Sequence, residues 1–263
     1  MILDQFALTD RVAVVTGAGK GIGAGTARAL AEAGADVVCA ARTAADIERT
    51  AAAVRDTGRR ALPVPTDVLE REQLERLVAA AVDEFGRIDI LVNNAGGWPP
   101  RAAMRTSEVA FEQALRFNVV SPFLLTRFVV PVMVETAGGG AVVNISSRAA
   151  SMVQPNFTAY GTAKAGLSFM TRQMATELAP KVRLNAIEVG GVETDALASV
   201  LTDDSVRQAM EANTPMGRVG QPEDIAAAVI YLVSPASSWV TGKVFEVDGG
   251  AEHPAFTIPV EPL

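Results

Sequence analysis

Thr16-Gly17-Ala18-Gly19-Lys20-Gly21-Ile22-Gly23 joins a short β-branched run at residues 12–16 to a helical pattern over residues 23–33. Glycines permit a tight turn here and let a pyrophosphate approach the backbone. The N-terminus of the following helix presents free N–H groups and a positive dipole end to such an anion. A plain strand–helix turn is the alternative. Because strand, loop and helix occur in this order at the start of an alternating chain, the pattern favours a dinucleotide site.

The rest of the chain repeats this alternation of strand and helix. The hydrophobic runs of the strands are nearly continuous, which is typical of a parallel sheet covered on both faces. The first three helices are followed by Gly34, Gly58 and Gly86, the usual residue after a helix C-terminus. We therefore predict an α/β fold, a single Rossmann-type doubly wound domain over residues 1–263 with a seven-stranded parallel sheet and helices on both faces. The predicted strands cover residues 12–16, 36–41, 61–66, 88–92, 141–145, 182–189 and 243–247.

The second half of the chain contains two longer helical patterns and two irregular segments. Helices are predicted over residues 107–135 and 157–179, and Pro122 is expected to kink the first of them. Residues 191–218 have weak strand character and are predicted to form a lid-like insertion. The tail, residues 251–263, contains three prolines and is predicted to be irregular.

Composition excludes several classes of protein. The 263 residues are 49% hydrophobic and 20% charged, as in ordinary globular proteins. The net charge of -7 argues against sequence-independent nucleic-acid binding, which needs basic clusters. The single cysteine, Cys39, cannot form an internal disulfide, and the single histidine, His253, argues against a multi-histidine metal site or a Ser-His-Asp hydrolase. We therefore predict that no metal is bound.

The sequence also bears on location in the cell. The N-terminus lacks the basic and apolar regions of a signal peptide. No uninterrupted apolar stretch looks long enough to span a bilayer. A cytoplasmic protein without a membrane partner is the expectation.

The end of the second predicted strand indicates which dinucleotide binds. It reads Cys39-Ala40-Ala41-Arg42-Thr43 and lacks the Asp or Glu that holds the ribose 2′-OH in NAD sites. Arg42 is instead placed to pair with a 2′-phosphate, and Lys20 adds a second positive charge. A solvated arginine and a surface lysine are simpler interpretations of either residue alone. Together with the missing acid, the two basic residues favour NADP(H), with NAD(H) as the alternative.

Three further segments extend the pattern beyond the glycine loop. They are Asn93-Asn94-Ala95-Gly96 after the fourth strand, Ser147 after the fifth, and Tyr160-x-x-x-Lys164 on the next helix. With the glycine loop, the chain resembles the short-chain dehydrogenase/reductase family from Arg11 to Gly250. The spacing of 13 between positions 147 and 160 matches the family as well. The resemblance implies an oxidoreductase that acts on CH–OH groups with NAD(P).

The residue types of these segments suit proton transfer. Tyr160 and Lys164 lie four residues apart, on one face of a helix. A phenol has a pKa of about 10, and a nearby ammonium lowers it. Tyr160 then gives a proton to a carbonyl oxygen or removes one from an alcohol, while Ser147 hydrogen-bonds the same oxygen. The alternative, a half-buried helix tyrosine beside a solvated lysine, does not explain their placement with Ser147 and the glycine loop.

The resemblance implies roles for further residues. Asn118 matches the family's helix asparagine, which supports a water that relays protons to Lys164; the alternative is a polar residue that bends the helix. One departure is visible, because Val189-Gly190 stands where the family usually has Pro-Gly, and valine does not fix its φ as proline does. The cofactor-binding residues implied are Gly17, Lys20, Gly21, Ile22, Gly23, Arg42, Asp67, Val68, Asn94, Ala95, Gly96, Tyr160, Lys164, Gly190, Val192 and Thr194.

The substrate is defined less closely. Segments after the strand ends offer a mostly apolar lining, suited to a hydrophobic ketone or secondary alcohol. The candidate lining residues are Trp98, Met104, Met152, Val153, Phe157, Leu197, Leu201 and Met216. Arg101 and Arg148 are candidates for contact with an anionic group of the substrate, although exposed arginines are usually just solvated.

The leading hypothesis is an NADP(H)-dependent carbonyl reductase or alcohol dehydrogenase. A 3-oxoacyl-thioester reductase and a hydroxysteroid-type dehydrogenase both remain open within it. The alternatives are an NAD(H)-dependent dehydrogenase of the same family, a non-catalytic dinucleotide sensor, and an epimerase or dehydratase on the same scaffold. The family resemblance further implies a homo-oligomer, a dimer or tetramer paired through the two long helices.

Overall fold

The computed structural model describes residues 1–194 and 204–254. Its sheet has seven strands, all parallel, in the order β3-β2-β1-β4-β5-β6-β7. The strand order reverses between β1 and β4, and this confirms the predicted doubly wound fold. The strands are β1 Val12–Thr16, β2 Asp36–Ala41, β3 Ala61–Pro65, β4 Ile90–Asn93, β5 Gly140–Ser147, β6 Val182–Val189 and β7 Val244–Val247.

Helices cover both faces of the sheet because its strands are apolar on both sides. In β1, Ala13 and Val15 belong to one hydrophobic cluster and Val14 to the other. The first cluster packs against α1, α2 and α8, and the second against α3, α5 and α6. The helices are α1 Gly21–Glu32, α2 Ala44–Arg55, α3 Arg71–Phe85, α4 Glu108–Leu115, α5 Ser121–Ala137, α6 Thr158–Leu178, α7 Asp204–Ala212 and α8 Pro222–Val233.

The amino edge of the sheet is held by a buried carboxylate. Asp89 lies just before β4 and its side chain is 2% exposed. Arg11 and Arg87 each donate to it at 2.7 Å, and its second oxygen accepts the Val12 N–H at 3.0 Å. These contacts fix the start of β4 at Ile90, two residues later than the sequence pattern predicts.

The predicted helix over residues 107–135 is interrupted before Pro122 rather than at it. A π-helical turn, Arg116–Val120, separates α4 from α5. Pro122 lies in the first turn of α5, where a missing N–H costs little. Because Pro122 has no N–H to donate to the Asn118 carbonyl one turn earlier, the wider turn falls on Asn118 and its neighbours.

One helical stretch qualifies the expectation about membrane spans. Glu108–Ala137 is long and apolar enough to cross a bilayer by length and composition alone. A core helix of a soluble protein passes the same test. Leu125, Val129 and Met133 of α5 are buried in the cluster that packs against the sheet, as such a core helix requires.

The lid-like insertion and the tail are described in part. In the predicted lid over residues 191–218, Val192 forms an isolated parallel bridge with Gly220, and α7 follows from Asp204. Residues 195–203 of the lid lie outside the described residues, as do residues 255–263 of the tail. The boundaries of lid and tail stay predictions.

Candidate active site

A cleft of about 1440 Å³ opens at the carboxyl edge of the sheet. Because all seven strands are parallel, the loops that follow them meet at this one edge. Every predicted cofactor-binding residue lines the cleft, and so does Ser147. Asn118 is the one predicted catalytic residue that does not line it.

The glycine loop leaves room for a phosphate group at the start of α1. Gly17 and Gly21 have φ values of 64° and 51°, a conformation that favours glycine. A Cβ on Gly23 would lie 2.2 Å from the Gly17 carbonyl oxygen. Lys20, the residue before α1, makes no side-chain cap, and the first turn contains no acidic residue. The N–H groups of α1 are therefore free of an internal anion, and this cradle fits the pyrophosphate of a dinucleotide.

Two polar side chains connect the glycine loop to the end of β4. The Asn94 amide donates to the Thr16 carbonyl at 2.9 Å and to the Gly17 carbonyl at 3.3 Å. The Thr16 hydroxyl accepts the N–H groups of Asn94 and Ala95 at 3.0 and 3.1 Å. Thr16 is absent from the sequence-based candidates, although a hydroxyl at the end of an otherwise apolar strand is a signal that could have found it.

The groups at the end of β2 are mainly basic. Arg42 is exposed, lines the cleft and forms no ion pair within residues 1–194 and 204–254. The Lys20 ammonium lies 3.6 Å from the Asp46 carboxylate, which also accepts from Arg49 at 2.9 Å. Asp46 therefore reaches the cleft from α2 and offsets part of the charge expected from Lys20. Of the groups near the end of β2 that line the cleft, Lys20 and Arg42 are basic and Asp46 is acidic, so Arg42 is the basic side chain left without an ion pair among the described residues.

The hydroxyls of Ser147 and Tyr160 and the ammonium of Lys164 come together near the centre of the cleft. Ser147 hydrogen-bonds to the Tyr160 hydroxyl and accepts the Ala149 N–H at 3.2 Å. The Lys164 Nζ atom lies 5.8 Å from the centroid of the Tyr160 ring and donates to the Ile145 carbonyl at 2.8 Å. The tyrosine and serine hydroxyls are thus arranged to contact one substrate oxygen.

The electrostatics of this group differ from the expectation that the Lys164 ammonium lowers the pKa of Tyr160. Burial raises the pKa of the Tyr160 phenol, and the hydrogen bond from Ser147 opposes this rise only in part. Burial also lowers the pKa of Lys164 from 10.5 to about 7. Desolvation therefore dominates both pKa values in the protein alone, and the expectation that the Tyr160 pKa lies below its ordinary value is corrected on this point.

The depressed pKa of Lys164 implies that the free energy of unfolding depends on pH. Between about pH 7 and pH 10 the lysine is neutral in the folded protein and protonated in the unfolded chain. The unfolded state then binds more protons, so this residue makes stability rise with pH, by at most about 1.4 kcal/mol per unit. Below pH 7 both states are protonated and the destabilisation is constant.

We expect Lys164→Met to remove this dependence. Urea unfolding at pH 7, 8 and 9 should show the free energy of unfolding of the wild type rising relative to that of the variant. Taking the difference between the two free energies of unfolding at each pH cancels the contribution of the other titrating groups. A difference that stays flat over this window would contradict the depressed pKa.

Asn118 lies behind the cleft, in the π-helical turn. Its amide oxygen accepts the Gly97 N–H at 2.9 Å, and its nitrogen donates to the carbonyls of Gly97 and Ala114 at 3.1 and 3.0 Å. A Cβ on Gly96 would lie 2.9 Å from both the Asn118 oxygen and the Lys164 ammonium. The Asn118 side chain thus holds the loop after β4 close to Lys164.

The substrate end of the cleft contains part of the predicted apolar lining. Trp98, Met152 and Phe157 line it. Met104, Val153 and Met216 are exposed and do not line it. Leu197 and Leu201 lie outside the described residues. Among the lining residues that the sequence analysis missed are Gln154, Met210, Thr214 and His253.

The two arginines proposed for an anionic substrate group differ in position, since Arg148 lines the cleft and Arg101 does not. Arg101 does not line the cleft, and its N–H donates to the Asn156 carbonyl at 2.7 Å. The Arg148 side chain is 12% exposed and pairs with Glu246 and, at 2.8 Å, with Asp248. Arg148 lines the cleft, so its contact with a substrate anion stays a prediction, although these two carboxylates already pair with its guanidinium.

No group of three or more His, Cys, Asp or Glu side chains placed to hold a metal ion occurs within the part of the chain that the structure describes.

Comparisons with known proteins extend over nearly the whole chain. Residues 17–252 match a family model described as enoyl-(acyl carrier protein) reductase. An oxidoreductase of Mycobacterium tuberculosis is 47% identical over 263 residues, 100% of both chains. The cis-4-hydroxycyclohexanecarboxylate dehydrogenase of Sinomonas cyclohexanicum is 42% identical over 248 residues, 93% of this chain and 97% of that protein. A solved structure of 7α-hydroxysteroid dehydrogenase with NADH and 7-oxo glycochenodeoxycholic acid superposes with a TM-score of 0.91 at 38% identity and covers 96% of this chain and 98% of that one.

Proposed function

The chain belongs to the short-chain dehydrogenase/reductase family and acts on CH–OH groups with NAD(P), and we propose that it is an NADP(H)-dependent enzyme that interconverts a ketone and a secondary alcohol. The observation that supports this most is the hydrogen-bonded pair of Ser147 and Tyr160 beside Lys164, at the centre of the cleft. A non-catalytic dinucleotide sensor would not need these three groups together.

The preference for NADP(H) rests on the end of β2. Ala41 stands there in place of an acid, and the Arg42 side chain is free to pair with a 2′-phosphate. Lys20 adds charge, reduced by its contact with Asp46. The related 7α-hydroxysteroid dehydrogenase is described with NADH, so NAD(H) is the alternative for this chain.

The proposed chemistry divides between the cofactor and the side chains of the cleft. When bound, the nicotinamide gives or accepts the hydride. Tyr160 donates a proton to the carbonyl oxygen during reduction and removes it during oxidation. Ser147 hydrogen-bonds the same oxygen and stabilises its developing charge. Lys164 holds the nicotinamide ribose, and its charged form lowers the cost of a transient phenolate.

We infer that the substrate is an alicyclic ketone or secondary alcohol. Trp98, Met152 and Phe157 give the substrate end of the cleft an apolar surface, which suits a ring system. Two of the related proteins are described with ring compounds, a hydroxycyclohexanecarboxylate and an oxo bile acid. A 3-oxoacyl thioester is the competing substrate class.

We also propose that the chain forms a homo-oligomer in the cytoplasm. α5 and α6 leave apolar side chains exposed, among them Phe123, Val134 and Phe169, and this supports pairing of subunits into a dimer or tetramer. A single catalytic domain and a cytoplasmic location are proposed from the sequence.

One assay tests the activity and the cofactor together. The purified chain is incubated with NADPH or NADH and with 4-oxocyclohexanecarboxylate, a 7-oxo bile acid or a 3-oxoacyl thioester. We expect a cyclic ketone to be reduced with a kcat/KM at least about tenfold higher for NADPH than for NADH. Equal values would reject the NADP(H) assignment. Tight NADPH binding without oxidation by any ketone would favour the sensor.

A further inference from the structure

An ion-paired arginine follows Ser147 directly. Arg148 begins a 3-10 turn, Arg148–Ala150, and its guanidinium pairs with Asp248 at 2.8 Å, with Glu246, and with Glu188 at 3.8 Å. The partners come from the end of β6, from β7 and from the residue after β7. The turn next to Ser147 is thus tied to two other strands.

Glu188 is the buried member of this group. It lies on β6, 4% exposed, one residue before Val189. Its oxygens accept the Ser168 hydroxyl at 2.9 Å and the Ser151 hydroxyl at 2.5 Å. Since Ser168 belongs to α6, the helix of Tyr160 and Lys164, Glu188 connects this helix to the turn after Ser147. A buried carboxylate is costly unless it is paired, so these contacts are strongly held.

Asp248 links the same arginine to the loop that follows the neighbouring strand β6. A Cβ on Gly190 would lie 2.6 Å from the Asp248 Cα atom, and the Gly190 N–H donates to the Val247 carbonyl at 3.1 Å. Gly190 begins the loop that leads to Thr194. The path from Ser147 through Arg148 and Asp248 to Gly190 therefore joins the ends of the neighbouring strands β5 and β6 through side chains, beyond their last paired residues Ser147 and Val189.

We propose that Arg148, held by Asp248 and Glu188, is a positioning residue that sets the distance between the catalytic hydroxyls and the loop at residues 190–194. Val189 ends β6 and is paired with Ser147 of β5 and Val247 of β7, and the backbone pairing of β5 with β6 stops there. The ion pairs of Arg148 continue the connection beyond this last pair. The inference rests on the proposed function, because it concerns the geometry of hydride transfer.

The test compares two arginines that each pair with a buried carboxylate. Arg148→Met removes the positioning residue. Arg87→Met removes one of the two arginines of Asp89, at the amino edge of the sheet and far from the cleft. Both changes are expected to lower the melting temperature, so the control accounts for lost stability.

Hydrogen–deuterium exchange of the protein without cofactor gives a readout independent of activity. The Ser151 and Met152 amides donate to the Arg148 carbonyl, and the Gly190 amide donates to β7. We expect these amides to exchange about tenfold faster in Arg148→Met than in the wild type, and to be unchanged in Arg87→Met. Unchanged protection in Arg148→Met would overturn the proposal, whether or not the enzyme reduces a ketone.

Kinetics with NADPH and 4-oxocyclohexanecarboxylate give the second readout. Arg148→Met should lower kcat by about 10- to 100-fold and increase the primary isotope effect with C4-deuterated NADPH, while the KM of the ketone stays within about twofold. Asp248→Asn should change kcat and the isotope effect in the same direction. It replaces Arg148→Met as the test variant if Arg148→Met does not fold. A loss of kcat no larger than in Arg87→Met would overturn the proposal. A wild type that reduces no ketone would count against the proposed function, and the exchange experiment would still decide the role of Arg148.

Discussion

Tyr160→Phe is expected to lower kcat by about 10³-fold while NADPH affinity stays within about twofold. The substitution removes one hydroxyl and keeps the ring that packs against Phe157 at 6.0 Å between centroids. The substrate oxygen then lacks its proton donor, and Ser147 loses its hydrogen-bond partner. The measurement is steady-state reduction of a cyclic ketone, with NADPH affinity determined separately by fluorescence titration.

Tyr231→Phe is the matched control, since the chain contains only two tyrosines. Tyr231 lies on α8, beside Phe6 and away from the cleft. This variant should retain full turnover. If Tyr160→Phe also retained it, the assignment of the proton donor would be wrong. If Tyr160→Phe lost NADPH binding as well, the residue would act on cofactor binding and not in chemistry alone.

Arg42→Asp is expected to weaken NADPH binding by about 100-fold and to leave NADH binding within about threefold. A charged hydrogen bond contributes about 1.5–3 kcal/mol, and 100-fold corresponds to about 2.7 kcal/mol. The introduced carboxylate also repels a 2′-phosphate and can accept from a ribose 2′-OH. Affinities for both cofactors are measured by titration of the same preparations.

Arg55→Asp serves as the control for charge alone. Arg55 occupies the last turn of α2, pairs with Glu48 and does not line the cleft. Arg55→Asp changes the net charge by the same amount as Arg42→Asp. It should change the affinity for NADPH or NADH by no more than about twofold, because salt screens a surface charge that lies outside the cleft. Equal losses for NADPH and NADH in Arg42→Asp would mean that Arg42 does not contact the 2′-phosphate.

Much of the site follows from contiguous sequence. The loop from Thr16 to Gly23 specifies its own turn, since glycine is needed where φ is positive or a Cβ would meet the backbone. The spacing of Tyr160 and Lys164 places both on one helix face. Because parallel strands end at one edge of the sheet, the order of elements alone brings the loops after them into one cleft.

Other features depend on neighbours that no local pattern specifies. The break before α5 was expected at Pro122, but it falls on the residues before it, because the first turn of a helix tolerates proline. Met104 and Met216 were expected in the cleft, but they are exposed and do not line it. The sequence suggests that Lys164 is an ammonium that lowers the pKa of Tyr160. It does not reveal that Lys164 is buried, and this burial lowers the pKa of Lys164 itself.

The amino-acid sequence by itself determined the order of strands and helices, the glycine cradle and the identity of the reactive side chains, since turn chemistry and periodicity act between residues close in the chain. Only the tertiary structure decided that Arg148 pairs with Asp248, a residue 100 positions away. The physical reason is that an ion pair forms between whatever charges the packed strands bring within a few ångströms, and the burial that results sets which groups stay charged.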